Sequence, residues 1–421
     1  MIRKLLCLFA LANVGLAAAQ DGTISPYSFY GIGENRLRGT NEIKDMGSMA
    51  VFTDSLHMNT LNPASYGQLQ RATLSMGASY KSSSLKSNLN EAKTTSGSFD
   101  YITLSIPAGK FGVAFGVMPY TFAGYKVANQ TKSQEMTIQN LYNGDGGINR
   151  TFLGLGYKVN NNLSVGVDAA YLFGDINQSS IKFVSDTGEG IALDRGSRNT
   201  IGNSYSGFDF NLAANYKHKL AGKNFLHING TFSPETKLSN DYNSSLEVIK
   251  ASTNGYTTIE TLELNNYNRD LINPMKYSVG LGIGNPFKWF LGAEYSYANT
   301  DAYNKDYKYD VAAYEDSQKF AIGGFYTPKY NSYTSYLQRA TFRGGLRYEN
   351  TGLLINDERV NDMAIHAGIG LPVGIYTSNL NIGLEYGKKG TKNNNLIQEN
   401  YFSISIGLSL NDRWFEKRKF N

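Results

Sequence analysis

The sequence is poor in several things at once. Of 421 residues one is cysteine and nine are proline, charged residues make up 18%, and no apolar run after residue 19 approaches the ~20 residues of a membrane-spanning helix. Low charge with 44 glycines, 30 tyrosines and 22 phenylalanines disfavours disorder, coiled coil and collagen and suits strands and turns. The single cysteine, Cys7, excludes a disulfide framework. A formal charge of +5 is too small to argue for nucleic acid.

The first nineteen residues, MIRKLLCLFALANVGLAAA, place Arg3 and Lys4 before an apolar segment that ends in Ala17-Ala18-Ala19. This is the pattern of a secretory signal peptide cleaved after Ala19, over 1–19. Cleavage removes Cys7, so neither a thiol nucleophile nor a thiolate metal site would remain.

From residue 69 onward the recurring pattern has a period of two. In LSMGASYK, Leu74, Met76, Ala78 and Tyr80 share one face and Ser75, Gly77, Ser79 and Lys81 the other. Fourteen such segments fall near 69–81, 98–106, 111–123, 150–159, 163–173, 206–217, 225–234, 275–284, 289–298, 318–327, 339–349, 362–373, 379–387 and 400–410. Most are about the ~9–11 residues with which a tilted strand crosses a bilayer. Connections alternate between short (107–110, 160–162, 285–288, 374–378) and long (82–97, 124–149, 174–205, 239–274, 299–317).

The polar face is rich in Gly, Ser and Asn, with isolated charges such as Glu294, Arg343, Arg347 and Glu385, as expected of a wet lumen. Tyr120, Phe122, Tyr157, Tyr171, Phe173, Trp289, Tyr297 and Tyr348 at strand ends suit aromatic girdles at the lipid boundaries. The fold expected is all-β: a 14-stranded antiparallel transmembrane β-barrel over 69–410. A tail, 411–421, follows it, and both termini lie in the periplasm of a Gram-negative cell. Asp100, on the parity of lipid-facing Ile102 and Leu104, must lie above the bilayer or mark a break in register.

Residues 20–68 do not alternate and are expected to form a plug, or hatch, inside the barrel. Within them, MGSMAVFTDSLHMNTLNPASYG (46–67) carries Met46, Gly47, Met49, Asn62, Pro63 and Ala64. This run resembles the N-terminal hatch of the long-chain fatty-acid transporter (FadL-like) family of outer-membrane barrels. The resemblance implies a fourteen-strand barrel with a plug, a hydrophobic ligand, and a kinked third strand that opens the wall sideways. Here the third strand carries Gly112, Gly116 and Pro119, and because proline removes a ladder donor, either a lateral opening beside Pro119 or a strand that simply ends there near the loop rim is expected. The match departs from the family in its single acid, Asp54, before Asn-Pro-Ala, and in the NDRWFEKRKFN extension.

Catalytic chemistry is not indicated. The four histidines stand at no metal-ligand spacing, no G-x-S-x-G occurs, and GLGIG (280–284) alternates within a strand, where its glycines make room. No catalytic residue, metal or cofactor is expected. The first functional expectation is passive uptake of hydrophobic, fatty-acid-like molecules by lateral diffusion through the wall, with outer-membrane lipids around it. The alternative is a non-transporting scaffold or accessory subunit of an outer-membrane assembly or secretion complex, with protein partners in the envelope. A greasy cavity leading to a wall gap would favour the first and a filled lumen the second.

Overall fold

The computed structural model describes residues 23–133, 136–186, 192–252, 255–286, 288–374, 378–412 and 414. The expected signal peptide and most of the expected tail lie outside them.

Fourteen strands form the wall: β1 (Ala72–Lys86), β2 (Glu91–Ala108), β3 (Phe111–Phe122), β4 (Met136–Lys158), β5 (Leu163–Asp186), β6 (Ala192–Lys219), β7 (Phe225–Ser233), β8 (Lys276–Asn285), β9 (Trp289–Ala298), β10 (Ser317–Tyr326), β11 (Thr341–Ile355), β12 (Glu358–Val373), β13 (Ser378–Lys389) and β14 (Gln398–Asp412). Each is antiparallel to its neighbours, and β14 closes on β1 from Gln398 against Lys86 to Asp412 against Ala72. The sheet therefore closes on itself.

Side chains alternate as a bilayer dictates. On β8, Val279, Leu281 and Ile283 face outward and are exposed, while Ser278, Gly280, Gly282 and Gly284 are buried inside. The same inversion, apolar out and polar in, recurs at Phe208, Phe210 and Leu212 against buried Asp209 and Asn211.

Four of the expected long loops are largely strand. β1 and β2 continue to a tight turn at 87–90, and β5 and β6 pair far beyond their apolar stretches. Further hairpins arise because Tyr125–Ser133 pairs with β4, and Thr236–Ser252 pairs with Gly255–Asn273. The expected strands ended where apolar alternation ended, but backbone pairing does not require apolar side chains once the ladder leaves the lipid. Connection 299–316 instead folds inward, with a 3-10 turn at Thr300–Lys305 and a short strand, Ala312–Tyr314, against β11.

Residues 23–71 lie inside the barrel. They contain 3-10 turns at Pro26–Phe29 and Pro63–Gln68, a helical turn at Asn41–Lys44, and Glu34–Asn35, which pairs with Thr121 and Phe122 of β3. The buried core is the contact between this segment and the wall, with Ile43, Met46, Met49, Val51 and Phe52 packed on Phe290 and Ala321.

Candidate functional site

The lumen is the candidate site, and it is assembled by glycines and charges on the wall. Asn62 caps the Pro63–Gln68 turn by accepting from the Ala64 N–H at 3.1 Å, and its amide donates to the Ala50 carbonyl. Asn59 donates to the carbonyls of Met49, Ala50 and Phe52, so the two asparagines hold the Met-Gly stretch and the Asn-Pro-Ala stretch together. The turn then presses on wall glycines. A Cβ on Gly112 would stand 1.9 Å from the Tyr66 carbonyl, and one on Gly166 would stand 2.3 Å from the carbonyl carbon of Pro63. Met46 sits against Gly323 and Gly345 in the same way, and Val51 against Gly280.

Charges fix the segment around the circumference. β2 has a register shift at which Gly77 faces Tyr101 and Ala78 faces Phe99, leaving Asp100 as the extra residue. The bulge turns its carboxylate into the lumen, where Arg36 and Lys44 each lie 3.0 Å away. Lys389 donates to Glu34 at 2.9 Å, and Lys81 lies 2.9 Å from Glu399. Burial alone would raise the Glu34 carboxyl, but Lys389 and Lys81 hold it well below the usual carboxylate range. Among the described residues no salt bridge holds Asp45, and burial, outweighing the pull of Arg343 and Lys44, raises it to about 7.

The lumen residues expected from sequence separate into two groups. Glu294 accepts the Ala50 and Val51 N–H groups at 2.6 and 3.0 Å, and Arg343 donates to Asn381, which donates to Glu42. These two meet the N-terminal segment. Arg347 instead donates to Glu349, Asp362, Glu385 and the Tyr401 hydroxyl, all on the wall, so Arg347 and Glu385 brace strands. The sequence reading missed Arg36, Lys44, Glu34, Lys81, Lys389 and Glu399. Only the parity mismatch at Asp100 signalled that an inward charge needed partners.

At the third strand, Gly112 and Gly116 lie within the β2–β3 ladder, which ends at Val117 facing Ile102. Beyond it β3 pairs with β4 through a shift at Pro119 and with Glu34–Asn35, so Pro119 alone of the three stands where β2 and β3 have parted. Gly112, within the β2–β3 ladder, packs against the Tyr66 carbonyl. Tyr120, expected in a girdle, faces inward, because it shares parity with Gly112 and Met118; its hydroxyl donates to Asn273 and accepts from Lys276.

Between the segment and the wall remains a chamber of about 320 Å³. Arg36, Lys276, Lys319 and Arg347 face into it together with Asp100, Glu294, Glu349 and Glu385. A tyrosine cluster closes the long-hairpin end: Tyr303 packs with Ile32, Tyr120 and Tyr205, and Tyr309 accepts the Gly31 N–H at 2.8 Å.

The architecture is shared with solved outer-membrane channels. The Pseudomonas putida toluene transporter TodX superimposes with a TM-score of 0.59 at 14% identity, covering 91% of this chain and 100% of that one. A Pseudomonas aeruginosa FadL homologue gives 0.58 at 12%, over 90% and 99%. The Ralstonia pickettii toluene transporter TbuX gives 0.57 at 13%, over 89% and 99%. No curated protein matches the sequence. The fold is thus FadL-like and of outer-membrane type, while the sequence itself matches, over residues 1–421, the family model described as BamG, and the chain belongs to the BamG family.

Proposed function

We propose that this chain is a sealed outer-membrane barrel that serves as an accessory subunit of an outer-membrane assembly, with residues 23–71 as its plug. In this reading a signal peptide cleaved after Ala19 exports it, and both termini of the mature chain lie in the periplasm. The observation that carries the reading is the chemistry of the lumen. Its free volume is about 320 Å³ and is faced by charges of both signs, several of them paired. A hydrophobic molecule entering it would strip water from those charges with nothing to replace it. The BamG family label supports the accessory role.

A second reading, lateral uptake of a hydrophobic compound, is favoured by the parting of β2 and β3 beyond Val117 and by the fold shared with toluene transporters. Two measurements on the intact chain separate the readings. Purification in mild detergent followed by native mass spectrometry is expected to yield a complex with protein partners. Proteoliposomes are expected to show no faster entry of radiolabelled toluene or oleate than empty liposomes. A barrel that migrates alone and accelerates entry overturns the accessory reading.

A further inference from the structure

The six turns that join strands at one rim, 109–110, 159–162, 220–224, 286–288, 327–340 and 374–377, contain no acid. They contain five bases: Lys110, Lys223, Lys288, Lys329 and Arg339. All five are exposed, and among the described residues no ion pair holds any of them. The opposite end differs. There, acids and bases are interspersed, with Lys86 beside Glu91, Lys237 beside Asp270 and Arg359 beside Glu315. A ring of one sign repels itself and is an electrostatic footprint for an anionic surface.

The longest of these turns adds an anchor. In 327–340 the Lys329 N–H donates to the Gln338 carbonyl at 2.8 Å, Ser332 donates to the Gln338 side chain at 2.9 Å, and Tyr336 donates to the Pro372 carbonyl near the end of β12 at 2.9 Å. The turn is held in shape, yet Tyr333 is fully exposed and Leu337 is 64% exposed. An ordered loop that displays an aromatic and a leucine between bases has the composition of an interface centre with a charged border.

We propose that this rim docks an acidic soluble protein domain of the same assembly, with Tyr333 and Leu337 seated in an apolar pocket and the ring of bases steering the encounter. The inference rests on the accessory-subunit reading and names the partner's chemistry. A protein is favoured over lipid headgroups because the bases cap the turns, beyond the strand ends that headgroups surround.

The test places a photo-crosslinking amino acid at Tyr333, and as a control at Tyr256 on the far hairpin, in cells producing the full chain. The partner caught at Tyr333 is identified by mass spectrometry, and its soluble domain is titrated against the barrel in nanodiscs of phosphatidylcholine alone. The expected result is an acidic domain whose binding weakens about tenfold or more in the Lys110→Glu, Lys223→Glu, Lys288→Glu, Lys329→Glu variant and falls with salt. Heat-modifiable gel mobility of that variant shows that the barrel has folded. A complex that forms through other surfaces, with crosslinks at Tyr333 to phospholipid only, overturns the proposal and leaves the accessory reading standing. Binding that ignores charge reversal also overturns it.

Discussion

The Asp100 carboxylate lies 3.0 Å from the Lys44 ammonium, although Asp100 sits in a strand at the parity of outward-facing Ile102. One extra residue in β2 makes the contact. Arg36 shares the same carboxylate, and all three side chains are largely shielded from water. Replacement by Asp100→Asn leaves two cations facing a neutral amide, and breaking a buried pair costs about 3–5 kcal/mol. The N-terminal segment of this variant is expected to become protease-sensitive at lower denaturant than the wild type, while the barrel keeps its β-sheet circular dichroism. Unchanged protection would mean that the pairing does not seat the segment.

Wall glycines give a second, purely steric test. A Cβ at Gly112 would stand 1.9 Å from backbone, whereas one at Gly230 would meet its nearest atom at 4.0 Å. Overpacking of this kind costs about 1–3 kcal/mol, and more where backbone is the obstacle. Gly112→Val is expected to displace the Pro63–Gln68 turn and expose Tyr66, visible as loosened proteolytic protection. Gly230→Ala is expected to behave as wild type. Equal behaviour of the two would separate the segment's seating from these slots.

The wall was largely legible in the sequence because its physics is local. Period-two alternation must be written into every strand that meets lipid, and Tyr277 to Ile283 read directly as the outward-facing positions of β8. The lumen was legible only as residue types. Glu294 and Arg343 read as polar and inward, but their partners, Ala50 and Asn381, are far away in sequence and set by closure of the barrel. The hairpins above the lipid were read as loops for the same reason: outside the hydrocarbon, polar residues pair in strands without leaving an alternation to see.

Protonation should tune the segment's hold. Burial raises the Asp45 carboxyl from 3.8 to about 7, so ionising it inside the barrel costs stability that protonation restores. Its contribution is most favourable below the ordinary pKa and declines as pH rises through about 7. His57 acts in the same direction. Burial opposes its charge, but Asp54, 2.6 Å away, raises it, and the stabilisation present at low pH is lost as pH rises through that raised value. Segment release by protease is therefore expected to accelerate between about pH 5 and about pH 8. Asp45→Asn should flatten much of that slope. A steeper slope in the variant would reverse the assignment.

Closure of the long-hairpin end depends on tyrosines that have turned inward. Tyr303 is buried against Ile32 and Tyr205 and meets Tyr314 edge-on with ring centroids 5.2 Å apart, while the Tyr314 N–H donates to Asn304 at 2.8 Å. Truncating a buried aromatic costs about 3–5 kcal/mol, spent here on connection 299–316 and not on the wall, whose ladders bypass it. Tyr303→Ala is therefore expected to leave the folded barrel intact on heat-modifiable gels. It should also admit water and small sugars to the chamber, so that proteoliposomes swell faster in arabinose than those with wild type. Combined with Asp100→Asn the swelling should increase further, since one change loosens the lid and the other the segment beneath it. If neither variant swells faster, then the seal lies in contacts other than the tyrosine lid and the Asp100 pairing.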